Sequence, residues 1–142
     1  MKFKANLYYA MGGGLGHLTR ARAVEHSLQL ENLRVLTAAP EAGKVFHSHN
    51  LLKVPPKHFT PAPYQKWMNS RLKRYEFGNI YLDTFPNGLL GELQPWLADW
   101  EGKLFYIARA LNMEAYQSRI PESFPTIEKT YIVDELPEAQ EV

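Results

Sequence analysis

The stretch Met11-Gly12-Gly13-Gly14-Leu15-Gly16-His17 decides how the rest of this chain is read. Glycine loses more backbone entropy on folding than any other residue, so a cluster of it marks a place that needs positive φ or a close backbone approach. Before it stands Ala5-Asn6-Leu7-Tyr8-Tyr9-Ala10-Met11, apolar and without clean alternation. That is the pattern of a strand buried on both faces of a parallel sheet. After it, Leu18, Ala21, Val24 and Leu28 recur at spacings of three and four, with Arg20, Arg22, Glu25, His26 and Gln29 on the other side. The spacing predicts a helix of about three turns over Leu18–Leu30, with Asn32 as its stop. Strand, glycine-rich turn and helix together place backbone N–H groups and the positive end of a helix dipole at a sheet edge. This is an anion site in outline.

Working outward, Leu33–Ala38 is a second short apolar run, Pro40-Glu41 opens an expected helix to His49, and Leu51–Val54 is a third strand candidate. Pro55, Pro56, Pro61 and Pro63 then exclude helix and predict an extended loop. Tyr64, Met68, Leu72 and Tyr75 return to helical spacing, with Lys66, Arg71, Lys73 and Arg74 giving a basic face and Gly78 ending the segment. Asn79–Phe85 is a fourth strand candidate, and Leu89, Leu93, Leu97 and Trp100 mark a helix kinked or restarted at Pro95. Lys103–Ala108 and Thr130–Asp134 supply a fifth and a sixth strand. This alternation predicts one Rossmann-like α/β domain over residues 1–142, doubly wound, with a mostly parallel sheet in the order 3-2-1-4-5-6. In such a sheet the ligand crevice lies outside the carboxyl ends of strands one and four. Two stretches meet there: the glycine loop through His17, and Asp83-Thr84-Phe85-Pro86-Asn87-Gly88.

The totals narrow the function. With 142 residues the chain can bury a core without staples, and a formal charge of +1 argues against a polyanionic partner such as nucleic acid. The absence of cysteine removes disulfides, thiolate metal sites and a cysteine nucleophile together. The histidines show no metal spacing with carboxylates, so no metal and no cofactor are expected. The N-terminus does not read as a signal peptide, and no run approaches the ~20 apolar residues of a membrane span. A cytoplasmic location is expected. The basic and aromatic segment around Trp67 suggests contact with the inner membrane face, while a solvated basic helix face accounts for the same residues.

The dinucleotide fingerprint G-x-G-x-x-G fails in this loop. From Gly12 its third glycine falls on His17, and from Gly13 its second falls on Leu15. The acidic residue expected after the second strand is replaced by Thr37-Ala38-Ala39-Pro40, with Glu41 a weak substitute. A nicotinamide-dependent oxidoreductase is therefore disfavoured. The phosphate-loop pattern ending in Gly-Lys-Ser/Thr is missing as well.

What remains, G-G-G-L-G-H followed by a helix with Thr19 and Arg20 in its first turn, resembles the N-terminal loop of two-domain GT-B glycosyltransferases. The likeness is to the branch containing the peptidoglycan N-acetylglucosaminyl transferase. Asp83 through Leu93 is similar to the strand-to-helix segment of uncharacterised bacterial members of that superfamily. The resemblance implies an acceptor-binding domain, with a nucleotide-sugar donor held by a second domain. The chain ends where the linker would begin, so the expectation is either that a partner chain supplies the donor half or that this is a truncated or repurposed half. A sugar or lipid-linked acceptor is the implied substrate, and the vacant docking face is an expected route to pairing with a second copy.

Sugar transfer with inversion needs a base for the acceptor hydroxyl and N–H dipoles or positive charge near the leaving diphosphate. His17 is the candidate base, since an imidazole titrates in the right range. Asp83 either orients it or takes the proton itself. Gly12, Gly13, Gly14, Gly16, Thr19, Arg20, Thr84 and Asn87 are the candidate ligand contacts. Plainer roles stay open: a glycine turn that only packs, a His17 that caps its helix, an Asp83 that caps the next turn. A non-catalytic module binding a nucleotide or another anion is the alternative function.

Overall fold

The computed structural model describes residues 5–11, 16–47, 50–54, 66–67, 77–85, 93, 102–108 and 127–132. Its elements are β1 (Ala5–Tyr9), α1 (Gly16–Ser27), β2 (Leu33–Thr37), a 3-10 turn (Pro40–Lys44), β3 (Leu51–Lys53), β4 (Phe77–Asp83), β5 (Lys103–Ala108) and β6 (Lys129–Ile132). The strands form one sheet in the order β3-β2-β1-β4-β5-β6, and every pairing is parallel. This is the order expected from the sequence. It reverses between β1 and β4, so the carboxyl ends of these two strands flank the crevice position.

Side chains alternate between the faces with the period of two that a pleated strand imposes. Leu7 and Tyr9 of β1 join Ile80 and Leu82 of β4 and Leu104 and Tyr106 of β5 in one cluster. Tyr8, Val35, Tyr81 and Ile107 point to the other face, where Leu18 and Ala21 of α1 cover them. Both faces are buried, which is why the strands read as continuous apolar runs. A row of aromatic rings crosses the α1-side face. Tyr8 lies 6.4 Å from Tyr81, Tyr81 lies 4.9 Å from Phe105, and Phe105 lies 6.4 Å from Tyr131, centroid to centroid.

Three local expectations are corrected. The helix α1 ends at Ser27 rather than Leu30. Gln29 adopts φ 52°, and the Leu30 N–H reaches the Glu25 carbonyl at 3.0 Å while the Gln29 N–H reaches that of His26 at 3.3 Å. This is a Schellman closure built on glutamine instead of glycine. It leaves Leu28 outside the apolar stripe, 37% exposed. Asn32, the expected stop, is also left-handed, at φ 51°, and leads directly into β2.

The helix expected from Glu41 to His49 is a 3-10 turn ending at Lys44. Gly43 weakens longer helix there, by about 1 kcal/mol against alanine, and Phe46 turns back into the core. Nothing crowds Gly43, since an added Cβ would meet no atom within 4 Å. Gly78, expected to end a helix, lies inside β4. The register slips there, from Ala5 opposite Phe77 to Asn6 opposite Asn79. Gly78 is the extra residue of a bulge, a common place for glycine in a strand.

Of the expected basic helix, Lys66 and Trp67 are described, and both are helical. Lys66 is exposed, whereas Trp67 packs against the cluster on the face opposite α1. The rest of that segment, the Leu89–Trp100 helix apart from a buried Leu93, and Asn87 lie outside the described residues. Among the described residues no helix is long and apolar enough to cross a membrane.

Candidate active site at the carboxyl ends of β1 and β4

Parity places the groups of this site. Asp83 is two residues beyond Tyr81, so it shares the face on which Tyr8 lies and α1 packs. His17 and Arg20 are three apart in the first turns of α1 and so share one side of the helix. The carboxylate of Asp83 is completely buried and is the point on which all of them converge.

Its Oδ1 accepts from His17 Nδ1 at 2.8 Å, from Arg20 Nη2 at 2.9 Å and from the Thr84 hydroxyl at 2.8 Å. Its Oδ2 accepts from the Tyr8 hydroxyl at 2.5 Å and from Arg20 Nε at 3.1 Å. Burial pushes the Asp83 carboxyl up, but the hydrogen bonds from His17, Arg20 and Tyr8 and the His17 charge outweigh it. The net result lies below the usual carboxylate range. The Tyr8 phenol is pushed the other way, by burial first and then by the charge and hydrogen bond of Asp83, so Tyr8 stays a donor.

These partners assign the imidazole proton. A guanidinium and an ionised carboxylate cannot exchange roles, since one only donates and the other only accepts. With a carboxylate oxygen 2.8 Å away, Nδ1 must carry hydrogen. The 3.1 Å approach of Arg20 Nη2 to the same nitrogen is two donors converging on one acceptor. In the neutral ring the lone pair is then on Nε2, for which the described residues supply no hydrogen-bond partner. The His17 side chain is 9% exposed, and its ring stacks on Phe85 with centroids 6.2 Å apart.

The turn after β4 is strained and firmly held. Thr84 has φ 66°, an uncommon conformation for a β-branched residue. The Phe85 N–H reaches back to the Asp83 carbonyl at 2.7 Å, closing a three-residue turn of the rarer hand. Thr84 donates its N–H to Ile107 at 3.0 Å, and its carbonyl accepts from the Tyr106 hydroxyl at 2.7 Å. Such strain persists only where surrounding bonds over-determine it, and it concentrates at functional sites.

The residues expected at the site divide into four groups. His17, Asp83, Arg20 and Thr84 come together. Thr19 is exposed, and its hydroxyl bonds the Gly16 carbonyl at 3.1 Å; it lines an open groove with Arg22, Glu25 and His26 on the solvent side of α1. Gly16 is the first residue of α1, next to His17. Gly12, Gly13, Gly14 and Asn87 lie outside the described residues. Tyr8 and Tyr106 were not anticipated. The available signal was a tyrosine in a buried strand, whose hydroxyl must find a partner. Among the described residues no group of three or more histidines and carboxylates is placed to hold a metal.

Fold and site together define a Rossmann-like α/β domain with a histidine–aspartate pair at the reversal of strand order. No protein-family model matches the chain, nor does any curated protein or solved structure.

Proposed function

We propose that this domain is the acceptor-binding half of a glycosyltransferase that takes its sugar from a nucleotide-sugar donor bound by a partner. The observation that carries this reading is the His17–Asp83 pair, its Nε2 unclaimed by the described residues, at the carboxyl ends of β1 and β4. His17 Nε2 takes the proton of the acceptor hydroxyl as that oxygen attacks the anomeric carbon. The bond to the nucleoside diphosphate breaks, and its electron pair leaves with the phosphate. The imidazolium so formed is held against the Asp83 carboxylate, which stays ionised because five donors already satisfy it. The same saturation disfavours Asp83 as the base. The start of α1 offers its N–H groups and dipole to a diphosphate or to sugar oxygens. The acceptor is a sugar, free or lipid-linked, and a lipid-linked one would bring exposed Lys66 to the cytoplasmic membrane surface.

Affinity purification from the source cell, followed by a transfer assay on what is recovered, tests this. A co-purifying donor-domain chain, and transfer that falls ~100-fold or more in His17→Gln, are the expected results. If no such chain is recovered and no nucleotide sugar raises the melting temperature, the reading is lost. Stabilisation of the isolated domain by a nucleotide without any transfer would instead establish the non-catalytic anion-binding module that the same helix terminus suits.

A further inference from the structure

We propose that Arg20 is a positioning residue: by clamping Asp83 it determines which nitrogen of His17 carries the proton. The inference rests on the reading above only in taking Nε2 as the working atom. Arg20 meets Asp83 side-on, Nε on Oδ2 at 3.1 Å and Nη2 on Oδ1 at 2.9 Å. This bidentate fork immobilises a carboxylate as no single donor can. It also fills the directions in which the carboxylate would otherwise rotate away from the ring. Tyr8 closes the remaining side of Oδ2, and Thr84 that of Oδ1.

The clamp therefore acts on the ring through an intermediary. Arg20 approaches His17 Nδ1 at 3.1 Å and, without Asp83 in place, would be that nitrogen's natural donor. It would then leave the lone pair on Nδ1 and the hydrogen on Nε2. With Asp83 held between them, the order is reversed. Free histidine prefers its proton on Nε2, so the arrangement enforces the less favoured tautomer. That is a cost a site bears when it needs a bare Nε2. Arg20 was expected among the ligand contacts; this geometry turns two of its nitrogens inward instead.

The test is long-range proton–nitrogen correlation on the ¹⁵N-labelled full chain with the imidazole neutral. It reads the two ring nitrogens separately. In the native chain Nδ1 is expected to be the pyrrole-type nitrogen and Nε2 the pyridine-type. Arg20→Met should lower the Nδ1–H to Nε2–H ratio by about tenfold, the scale of a charge-assisted hydrogen bond. Arg20→Lys, which keeps the charge without the fork, should fall between, and it carries the measurement if the methionine variant does not fold. Tyr8→Phe leaves the fork intact and should stay within about twofold of native. A native Nε2–H tautomer, or a folded Arg20→Met or Arg20→Lys chain with the native ratio, overturns the proposal. If the ratio moves as expected while His17→Gln leaves transfer untouched, the clamp stands and the reading of His17 as the base falls. The converse pair of results spares that reading and removes Arg20 from it.

Discussion

The strands flanking β1 both end in a fully buried polar residue, Thr37 on β2 and Asp83 on β4, and the two are satisfied in opposite ways. Thr37 is served locally. Its hydroxyl accepts the N–H of Ala39, two residues on, at 3.1 Å. Asp83 draws on β1, on two residues of α1 and on its own neighbour, and one of these partners keeps a nitrogen with no described partner. A polar group that closes its own turn completes the fold. One that gathers donors from distant segments around an imidazole ties β1, α1 and β4 together at one point.

The largest expected effect separates the two ends directly. Asp83→Ala should cost about 3 kcal/mol in denaturant unfolding, because it strands a mostly buried guanidinium and a buried phenol. A loss under half that would mean the cluster is no more integral than Thr37. The acid limb is the next expected contrast. Asp83 is held below its ordinary 3.8, so between that value and its folded value the unfolded chain binds more protons than the folded one. Stability contributed by Asp83 is therefore complete above about 4 and is lost as pH falls further. Asp83→Asn should flatten this part of the pH–stability profile, and an unchanged slope would remove the assigned ionisation. Tyr8 acts at the other limit. Above 10.0 the unfolded phenol ionises while the folded one does not, so stability falls as pH rises past 10, a slope Tyr8→Phe should reduce and not abolish, because burial raises Tyr81 as well.

Variants of Thr84 separate backbone strain from hydrogen bonding. Thr84→Ala loses the hydroxyl donated to Asp83 and keeps the left-handed backbone, for an expected cost of about 2 kcal/mol. Thr84→Gly also relieves the backbone, worth ~1–2 kcal/mol, and should fall near native stability. Equal costs for the two would show that the turn is unstrained. Thr37→Val should cost about 1 kcal/mol, the net value of an ordinary hydrogen bond, with no effect on any ligand. The smallest change is Gln29→Gly, which removes a side chain from a left-handed helix cap and should stabilise by ~0.5–1 kcal/mol. Thermal unfolding measures both of these last effects.

How much of this could be read beforehand follows the range of each interaction. The strand order was legible because continuous apolar runs separated by breakers are a local signal, and handedness rules leave few ways to connect them. Asp83 was legible as a strand-end carboxylate, and His17 as the residue breaking a glycine fingerprint. The helix that shrank to a 3-10 turn after Pro40 and the glutamine that ended α1 were not, because tertiary packing overrode weak preferences there. Tyr8 looked like one more core aromatic. Only its alignment with the α1-side face of β4 gave its hydroxyl a carboxylate to meet.

A parallel α/β sheet whose strand order reverses between β1 and β4 follows from the residues in line, since the period and punctuation of apolar residues suffice for that. Tertiary structure alone decided that Tyr8, His17, Arg20 and Asp83 form one cluster, with the imidazole proton directed to Nδ1. Those groups come from segments up to 75 residues apart. Hydrogen-bond directions over such separations exist only once the sheet and α1 have packed.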